Sequence, residues 1–208
     1  KITDIIKSKE AVLSFEVFPP KTDDKFESVS RAIDEIAALR PDFMSVTYGA
    51  GGGTSAYTVA ISRHIKALGV NSVAHLSCIS STKADVREKL GQLKEAGIEN
   101  ILALRGDIPE NFAGNLEYGY ANELVADIKK CDGFCIGGAC YPVGHPESRT
   151  IYSDIENLRR KVDAGCDYLT TQMFFDNDLF YSFLAKCYSA GITVPVIPGI
   201  MPITRASQ

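Results

Sequence analysis

Several features are scarce or missing in this 208-residue sequence, and each absence excludes a class of protein. No apolar run approaches the roughly 18 residues that a membrane-spanning helix needs. The six cysteines include no Cys-x-x-Cys pair, which argues against a metal or disulfide framework and favours small core residues in a reducing cytoplasm. The net charge of −4 mixes both signs, so nothing indicates a nucleic-acid or membrane partner. We therefore expect an ordinary globular, cytoplasmic protein.

Phosphate-binding signatures are missing as well. The glycine cluster at residues 49–53 lacks the third glycine of a G-x-G-x-x-G sequence, and no Walker sequence is present. A Rossmann or P-loop fold is therefore a poor candidate. The cluster is interpreted either as a flexible turn or as a close backbone approach to a ring or phosphate.

A strand–helix unit repeats along the chain. Four similar sequences each place a glycine just past a helical pattern: Ala67-Leu-Gly-Val70, Glu95-Ala-Gly-Ile98, Asp163-Ala-Gly-Cys166 and Ser189-Ala-Gly-Ile192. Seven apolar runs, spaced by about 30 residues, are predicted strands: Leu13–Phe18, Phe43–Tyr48, Ser72–Cys78, Asn100–Leu104, Phe134–Tyr141, Tyr168–Phe174 and Val194–Ile200. Helical patterns lie between them, including Thr82–Ala96, which opens with a capping box formed by Thr82 and Asp85.

This rhythm predicts an α/β fold with a parallel sheet, and specifically a (β/α)8 TIM barrel of which the chain covers about seven strand–helix units. Typical barrels have about 250 residues. We therefore expect residues 1–208 to form a single barrel domain that is incomplete at its carboxyl-terminal end. An open sheet would instead leave bare strand edges.

Glu16 is the one charged residue within the first apolar run. Burying a carboxylate there is costly unless something justifies it. Glu16 lies near the carboxyl end of its predicted strand, where barrel enzymes place their chemistry. The alternative is a buried acid paired with a structural Arg or Lys.

Polar residues also follow the other strands. They are Thr47 and Tyr48, His75, Arg105 and Asp107, Tyr141 and His145, and Gln172. In a barrel these strand ends converge on one mouth. Two alternatives remain open, since His75 alone suits a satisfied core histidine and Arg105 could pair with Asp107.

The predicted helix Thr150–Ala164 carries Asp154, Asn157, Arg160 and Lys161 on one face. Such a stripe is either a solvated surface or a grip on a phosphate and a ribose.

Seven motifs, in order along the whole chain, resemble the methylenetetrahydrofolate reductase family. They are Phe15-Glu-Val-Phe-Pro-Pro-Lys21, Ser45-Val-Thr-Tyr-Gly-Ala50, His75-Leu-Ser-Cys78, Ala103-Leu-Arg-Gly-Asp107, Tyr141-Pro-Val-Gly-His-Pro-Glu147, Thr171-Gln-Met-Phe-Phe-Asp176 and Ile197-Pro-Gly-Ile-Met-Pro202. The departures from the family pattern are mild: Val17 and Met173 stand where aromatic residues are common, and residues 51–53 are all glycine.

The resemblance implies an oxidoreductase that binds FAD without covalent attachment. Hydride from NADH or NADPH would pass to the flavin and then, in a ping-pong cycle, to 5,10-methylenetetrahydrofolate, giving 5-methyltetrahydrofolate for one-carbon metabolism and methionine biosynthesis. The implied partners are the folate substrate and the nicotinamide cofactor. We expect a homo-oligomer, with a partner subunit that donates electrons as an alternative.

The resemblance also implies roles by position. Glu16 matches the general acid that protonates the folate amine. Asp107 matches an acid beside the flavin and the folate, while Gln172 and Thr47 match substrate contacts. The implied flavin-pocket residues are Thr47, Tyr48, Ala50, His75, Arg105, Gly106, Asp107, Ala121, Tyr141 and His145. The implied outer FAD contacts are Asp154, Asn157, Arg160 and Lys161.

Two other functions remain as alternatives to this one. A flavin-free barrel lyase or aldolase needs a metal cluster or a lysine at a strand end, and Lys21 alone comes near one. A truncated barrel acting as a regulatory or assembly module is the non-catalytic alternative.

Overall fold

The computed structural model describes residues 1–20, 22–48, 55–79, 81–108 and 116–205. Helix α1 (Ile2–Ser8) comes first, and strands then alternate with helices. The strands are β1 (Ser14–Val17), β2 (Phe43–Val46), β3 (Asn71–Ser77), β4 (Asn100–Leu104), β5 (Cys135–Cys140), β6 (Tyr168–Thr171) and β7 (Val196–Ile197). The intervening helices are α2 (Phe26–Ala38), α3 (Ser55–Ala67), α4 (Lys83–Glu95), α5 (Ala121–Lys129), α6 (Ile151–Asp163) and α7 (Asn177–Ser189), with a short 3-10 helix (Asp23–Lys25) before α2.

The seven strands form one parallel sheet in which each strand pairs with the next along the chain. Side chains from β2 to β6 meet in a single interior cluster, so the sheet is curled. Parallel strands joined by outer helices and curled around a common interior are the architecture of a (β/α)8 barrel. The predicted fold class, a partial TIM barrel with seven units, is confirmed.

The predicted helix boundaries are confirmed at several ends. Thr82 and Asp85 form the predicted capping box of α4, and Thr150 forms a second one with Ser153 at α6. The glycines that follow α3, α4, α6 and α7 all have positive φ, between 71° and 122°. Glycine adopts this conformation without strain, which explains why each helix stops there.

Alternation along the strands separates the two faces of the sheet. On β3, Ala74 and Leu76 pack in the cluster beneath the helices, whereas Val73 belongs to the interior cluster. Because side chains alternate along a strand, His75 shares the interior face with Val73. The five cysteines of the sheet, its flanking segments and α7 are buried, and Cys131 is half-buried, which confirms their role as core residues.

The interior is closed and mostly apolar at the end where the strands begin. Ile2 of α1 is fully buried against this end, and its N–H donates to the Oδ1 atom of Asn100 at 3.0 Å. Tyr168 fills the space that Gly137 leaves, since a Cβ on Gly137 would lie 2.4 Å from its ring. Of the polar residues predicted for the site, Glu16, His75, Arg105 and Tyr141 lie toward the opposite, carboxyl-terminal end of the strands. None of the helices in the described residues has the length and apolar character needed to cross a membrane.

Candidate active site

Glu16 lies on the interior face near the carboxyl end of β1. Its register neighbour on β2 is Ser45, whose hydroxyl donates a hydrogen bond to the carboxylate. Burial raises the pKa of Glu16 above its ordinary value of 4.5, and the bond from Ser45 offsets this only in part. The side chain is 46% exposed. A group in a concave mouth meets water on one side and protein on the others, so burial still dominates its pKa.

His75 lies beside Glu16 in the mouth. Its side chain is 6% exposed, and burial lowers its pKa to about 4, so the imidazole is neutral near pH 7. The Nε2 atom is 3.7 Å from Oε2 of Glu16, too far for a hydrogen bond. The contact is therefore not an ion pair, and the alternative of a Glu16 paired with a structural Arg or Lys finds no support among the described ion pairs.

The Nε2 atom of His75 is buried without a hydrogen-bond partner in the described part of the chain. Leaving such an atom unpaired costs about 1–3 kcal/mol, and a bound ligand is one common explanation. A fully satisfied core histidine is thus excluded for this nitrogen.

The turn after β4 is held tightly against β3. The Arg105 carbonyl accepts hydrogen bonds from the Ser77 hydroxyl at 2.8 Å and from the Ile79 N–H at 2.8 Å. Gly106 has a φ of 86°, and a Cβ there would lie 2.1 Å from the Ser77 hydroxyl oxygen. The position therefore requires glycine for both its conformation and its space.

Arg105 forms its ion pair with Glu147 rather than with Asp107. Nη1 donates to Oε2 at 2.6 Å and Nη2 to Oε1 at 2.5 Å, and these bonds raise the Arg105 pKa. The alternative pairing of Arg105 with Asp107 is wrong. Asp107 is exposed, and its negative charge contributes to the raised pKa of both Arg105 and Tyr141.

The loop after β5 brings Tyr141 and His145 together. Their rings form an edge-on pair with centroids 4.6 Å apart. Asp154 of α6 fixes this loop, because its Oδ2 accepts from the His145 N–H at 3.0 Å and its Oδ1 accepts from the Ser148 hydroxyl at 3.1 Å. Asp154 thus acts on the loop, in addition to any ligand role.

The other stripe residues of α6 diverge. Arg160 is exposed and donates to Glu156 at 2.7 Å and to Asn157 at 3.5 Å. Lys161 instead passes behind β5 and donates to the Ala139 carbonyl at 2.7 Å, where burial lowers its pKa. Of the four residues predicted to form one polar stripe on α6, only Asn157 and Arg160 are therefore exposed on the helix surface.

The remaining predicted residues lie around the same end of the sheet. Gln172 directly follows β6 and has an exposed side chain. Its backbone N–H donates a hydrogen bond to the Cys140 carbonyl at 2.7 Å. Thr47 follows β2, with its carbonyl accepting from Thr58 at 3.0 Å, and Tyr48 is half-buried next to it. Ala121 is the buried first residue of α5. Ala50 lies outside the described residues.

Sequence reasoning assigned no role to Ser45 or Glu147, although both lie within the quoted motifs. Ser45 precedes Thr47 by two residues and so shares its strand face, a signal that was available. The partnership of Glu147 with Arg105 spans 42 residues and has no local signal.

Comparisons with known proteins identify close relatives. The sequence model of the methylenetetrahydrofolate reductase family matches residues 1–208. The 5,10-methylenetetrahydrofolate reductases of Pectobacterium carotovorum subsp. carotovorum and Escherichia coli (strain K12) are 40% and 41% identical over 197 residues, covering 94% of this chain. The chain spans 65% and 66% of their lengths. Methylenetetrahydrofolate reductase (NADH) 1 of Arabidopsis thaliana is 37% identical over 222 residues, covering 99% of this chain and 37% of the plant protein.

Solved structures support the fold alone. An uncharacterized protein from Clostridium thermocellum that binds two copies of 5-methyl-5,6,7,8-tetrahydrofolic acid superposes with a TM-score of 0.70 at 16% identity, covering 95% of this chain and 68% of that one. Oxaloacetate acetylhydrolase superposes with a TM-score of 0.64 at 12% identity, covering 96% and 79%.

Proposed function

The chain belongs to the methylenetetrahydrofolate reductase family, and from that premise we propose that it forms the reductase barrel that converts 5,10-methylenetetrahydrofolate to 5-methyltetrahydrofolate. The observation that carries the proposal is the position of Glu16, an acid with a raised pKa, beside the buried and unpartnered Nε2 atom of His75 at the mouth. The cycle would be ping-pong, with NADH or NADPH as hydride source and a place in one-carbon metabolism and methionine biosynthesis. Residues 1–208 would be its FAD-binding domain.

The residues at the mouth suit FAD as a non-covalent cofactor. His75 offers the unpaired Nε2 atom, and the guanidinium of Arg105 and the edge-on ring pair of Tyr141 and His145 lie at neighbouring strand ends. FAD, when bound, supplies the group that accepts a hydride from the nicotinamide and gives it to the folate. Asn157 and Arg160, exposed on α6, would hold the outer part of the cofactor.

Glu16 would act as the general acid toward the folate. The proton on its carboxyl would move to an amine nitrogen of the substrate, so that the five-membered ring opens to a cationic iminium. A raised pKa keeps this proton in place closer to neutral pH. Because His75 is neutral, it adds no positive charge that would lower the pKa of Glu16.

Asp107, Gln172 and Thr47 would act on the substrate from the surrounding strand ends. The exposed carboxylate of Asp107 would stabilise the cationic iminium through its negative charge. The amide of Gln172 would offer one donor and one acceptor to the folate and the nicotinamide in turn. A homo-oligomer and an electron-donating partner subunit remain predictions.

The test of the function is a product assay on the purified chain with FAD, NADH or NADPH, and methylenetetrahydrofolate. Formation of 5-methyltetrahydrofolate, followed by mass spectrometry, is expected. Flavin-loaded protein that forms none with either nucleotide would point to an electron-donating partner subunit, and a chain that takes up no FAD would favour the non-catalytic alternative.

Ser45→Ala is expected to move the pH dependence of folate reduction. The reaction requires protonated Glu16, so its rate falls as pH rises through the raised pKa of that group. The Ser45 hydroxyl stabilises the ionised carboxylate and thereby lowers the pKa. Its removal should raise the pKa further and shift the falling limb to higher pH.

The measurement is the folate half-reaction followed by stopped flow across pH. The matched control is Ser72→Ala, which removes a buried strand hydroxyl that makes no bond in the described structure. A limb that stays in place, or moves to lower pH, would contradict the assignment of Glu16 as the acid.

A further inference from the structure

Glu147 joins two strand ends that the sequence keeps far apart. Its carboxylate receives two parallel hydrogen bonds from Arg105, at 2.6 and 2.5 Å. The Arg105 side chain is 17% exposed, whereas that of Glu147 is 60% exposed. Bidentate pairs of this kind fix a guanidinium in orientation as well as in position. The turn after β4 is therefore tied to the loop before α6.

The backbone N–H of Glu147 also makes a hydrogen bond. Its N–H donates to the Nδ1 atom of His145 at 3.1 Å. An Nδ1 that accepts a hydrogen bond carries no proton, so the neutral imidazole holds its proton on Nε2. Glu147 thus fixes which nitrogen of His145 acts as a donor.

The segment that carries Glu147 is anchored on both sides. Asp154 accepts from the His145 N–H on one side and from the Ser148 hydroxyl on the other. A carboxylate on an anchored segment holds its partner at a fixed place. This anchoring distinguishes Glu147 from a surface acid that swings freely.

Arg105 retains free N–H donors for a ligand while Glu147 holds its guanidinium group. Its Nε donates to the Gly106 carbonyl at 3.2 Å, and one N–H of each terminal nitrogen goes to Glu147. Of the five N–H groups of a guanidinium, two therefore have no partner in the described part of the chain.

We infer that Glu147 is a positioning residue of the mouth, which orients the Arg105 guanidinium and the His145 imidazole toward bound FAD. This inference rests on the proposed function. It differs from the opposite role, in which Glu147 would occupy the guanidinium in place of an anionic ligand group. The two roles predict opposite changes in FAD affinity when Glu147 is replaced. Removing a positioning group weakens FAD binding, whereas removing a competitor strengthens it.

The experiment compares the FAD dissociation constants of the wild-type chain, Glu147→Gln and Glu27→Gln by flavin fluorescence. Glutamine keeps the backbone N–H and the side-chain shape but loses the charge. We expect the dissociation constant of Glu147→Gln to rise about tenfold, as for the loss of one charge-assisted hydrogen bond. Glu27→Gln is the matched control, since it breaks an exposed pair with Arg31 on α2 at 3.4 Å. The FAD affinity of Glu27→Gln should equal that of the wild-type chain.

A second readout separates positioning from general damage to the fold. Without Glu147 the positive charge of Arg105 is no longer neutralised, so the midpoint potential of the bound flavin should become more positive. Glu147→Asp, which keeps the charge, should restore the potential toward the wild-type value. Thermal unfolding should be nearly unchanged in all variants, because Glu147 is exposed.

Equal or tighter FAD binding by Glu147→Gln, or an unchanged potential, overturns the positioning role and leaves the reductase proposal standing. A wild-type chain that binds no FAD overturns the proposed function and this inference with it.

Discussion

Replacing Glu16 by glutamine is expected to lower the rate of folate reduction by about 10²–10⁴-fold, the range that general acids contribute, while hydride transfer from the nicotinamide to FAD continues nearly unchanged. Glutamine has almost the same shape and can still accept the hydrogen bond from Ser45. It has no acidic proton to give to the folate amine. The loss should therefore fall on one half-reaction alone.

Stopped-flow absorbance measures the two half-reactions of Glu16→Gln separately. Glu10→Gln is the matched control, because Glu10 is exposed ahead of β1, away from the carboxyl-terminal end of the strand. Its two half-reactions should match the wild type. Equal losses in both half-reactions of Glu16→Gln would remove Glu16 from the role of folate acid.

Gly106→Ala is expected to have the largest effect on stability, with a loss of about 2–5 kcal/mol in the free energy of unfolding. An alanine at a φ of 86° adopts a left-handed conformation that costs about 1–2 kcal/mol. Its Cβ would also meet the Ser77 hydroxyl oxygen at 2.1 Å, and overpacking of this kind costs about 1–3 kcal/mol. FAD affinity should fall too, because Arg105 and Asp107 flank this turn.

Gly133→Ala is the matched control for this second variant. Gly133 has a φ of 111°, but a Cβ there would have no atom within 4 Å, so only the conformational cost applies. Urea unfolding should show a clearly smaller loss for Gly133→Ala. Adding Ser77→Ala to Gly106→Ala should recover part of the lost stability. Equal losses at the two glycines would show that the contact with Ser77 is unimportant.

The strands and helix ends were predictable because their causes are local. Apolar runs, glycines past the helices and the Thr82 capping box act through neighbouring residues, and all appear in the structure. The limits of the last strand were less certain. The run Val194–Ile200 yields only Val196–Ile197 as β7, because Pro195 and Pro198 have no N–H to donate to a sheet.

The gathering of Glu16, His75, Arg105 and Tyr141 at one end was predictable from topology, since parallel strands point the same way. Their pairings were not predictable. Arg105 meets Glu147 because of the path of the loop before α6, and that path depends on contacts with Asp154. The burial of Lys161 behind β5 depends on space at Gly138, where a Cβ would lie 2.8 Å from the lysine Cδ atom. Helical spacing alone carries no information on that space.

The most direct test of a flavin-dependent folate reductase is the visible absorbance spectrum of the purified chain, recorded after addition of FAD, then after anaerobic addition of NADH or NADPH, and then after methylenetetrahydrofolate. We expect bound flavin whose absorbance bleaches with one nucleotide and returns when the folate is added. A protein that retains no flavin after FAD is added would contradict it.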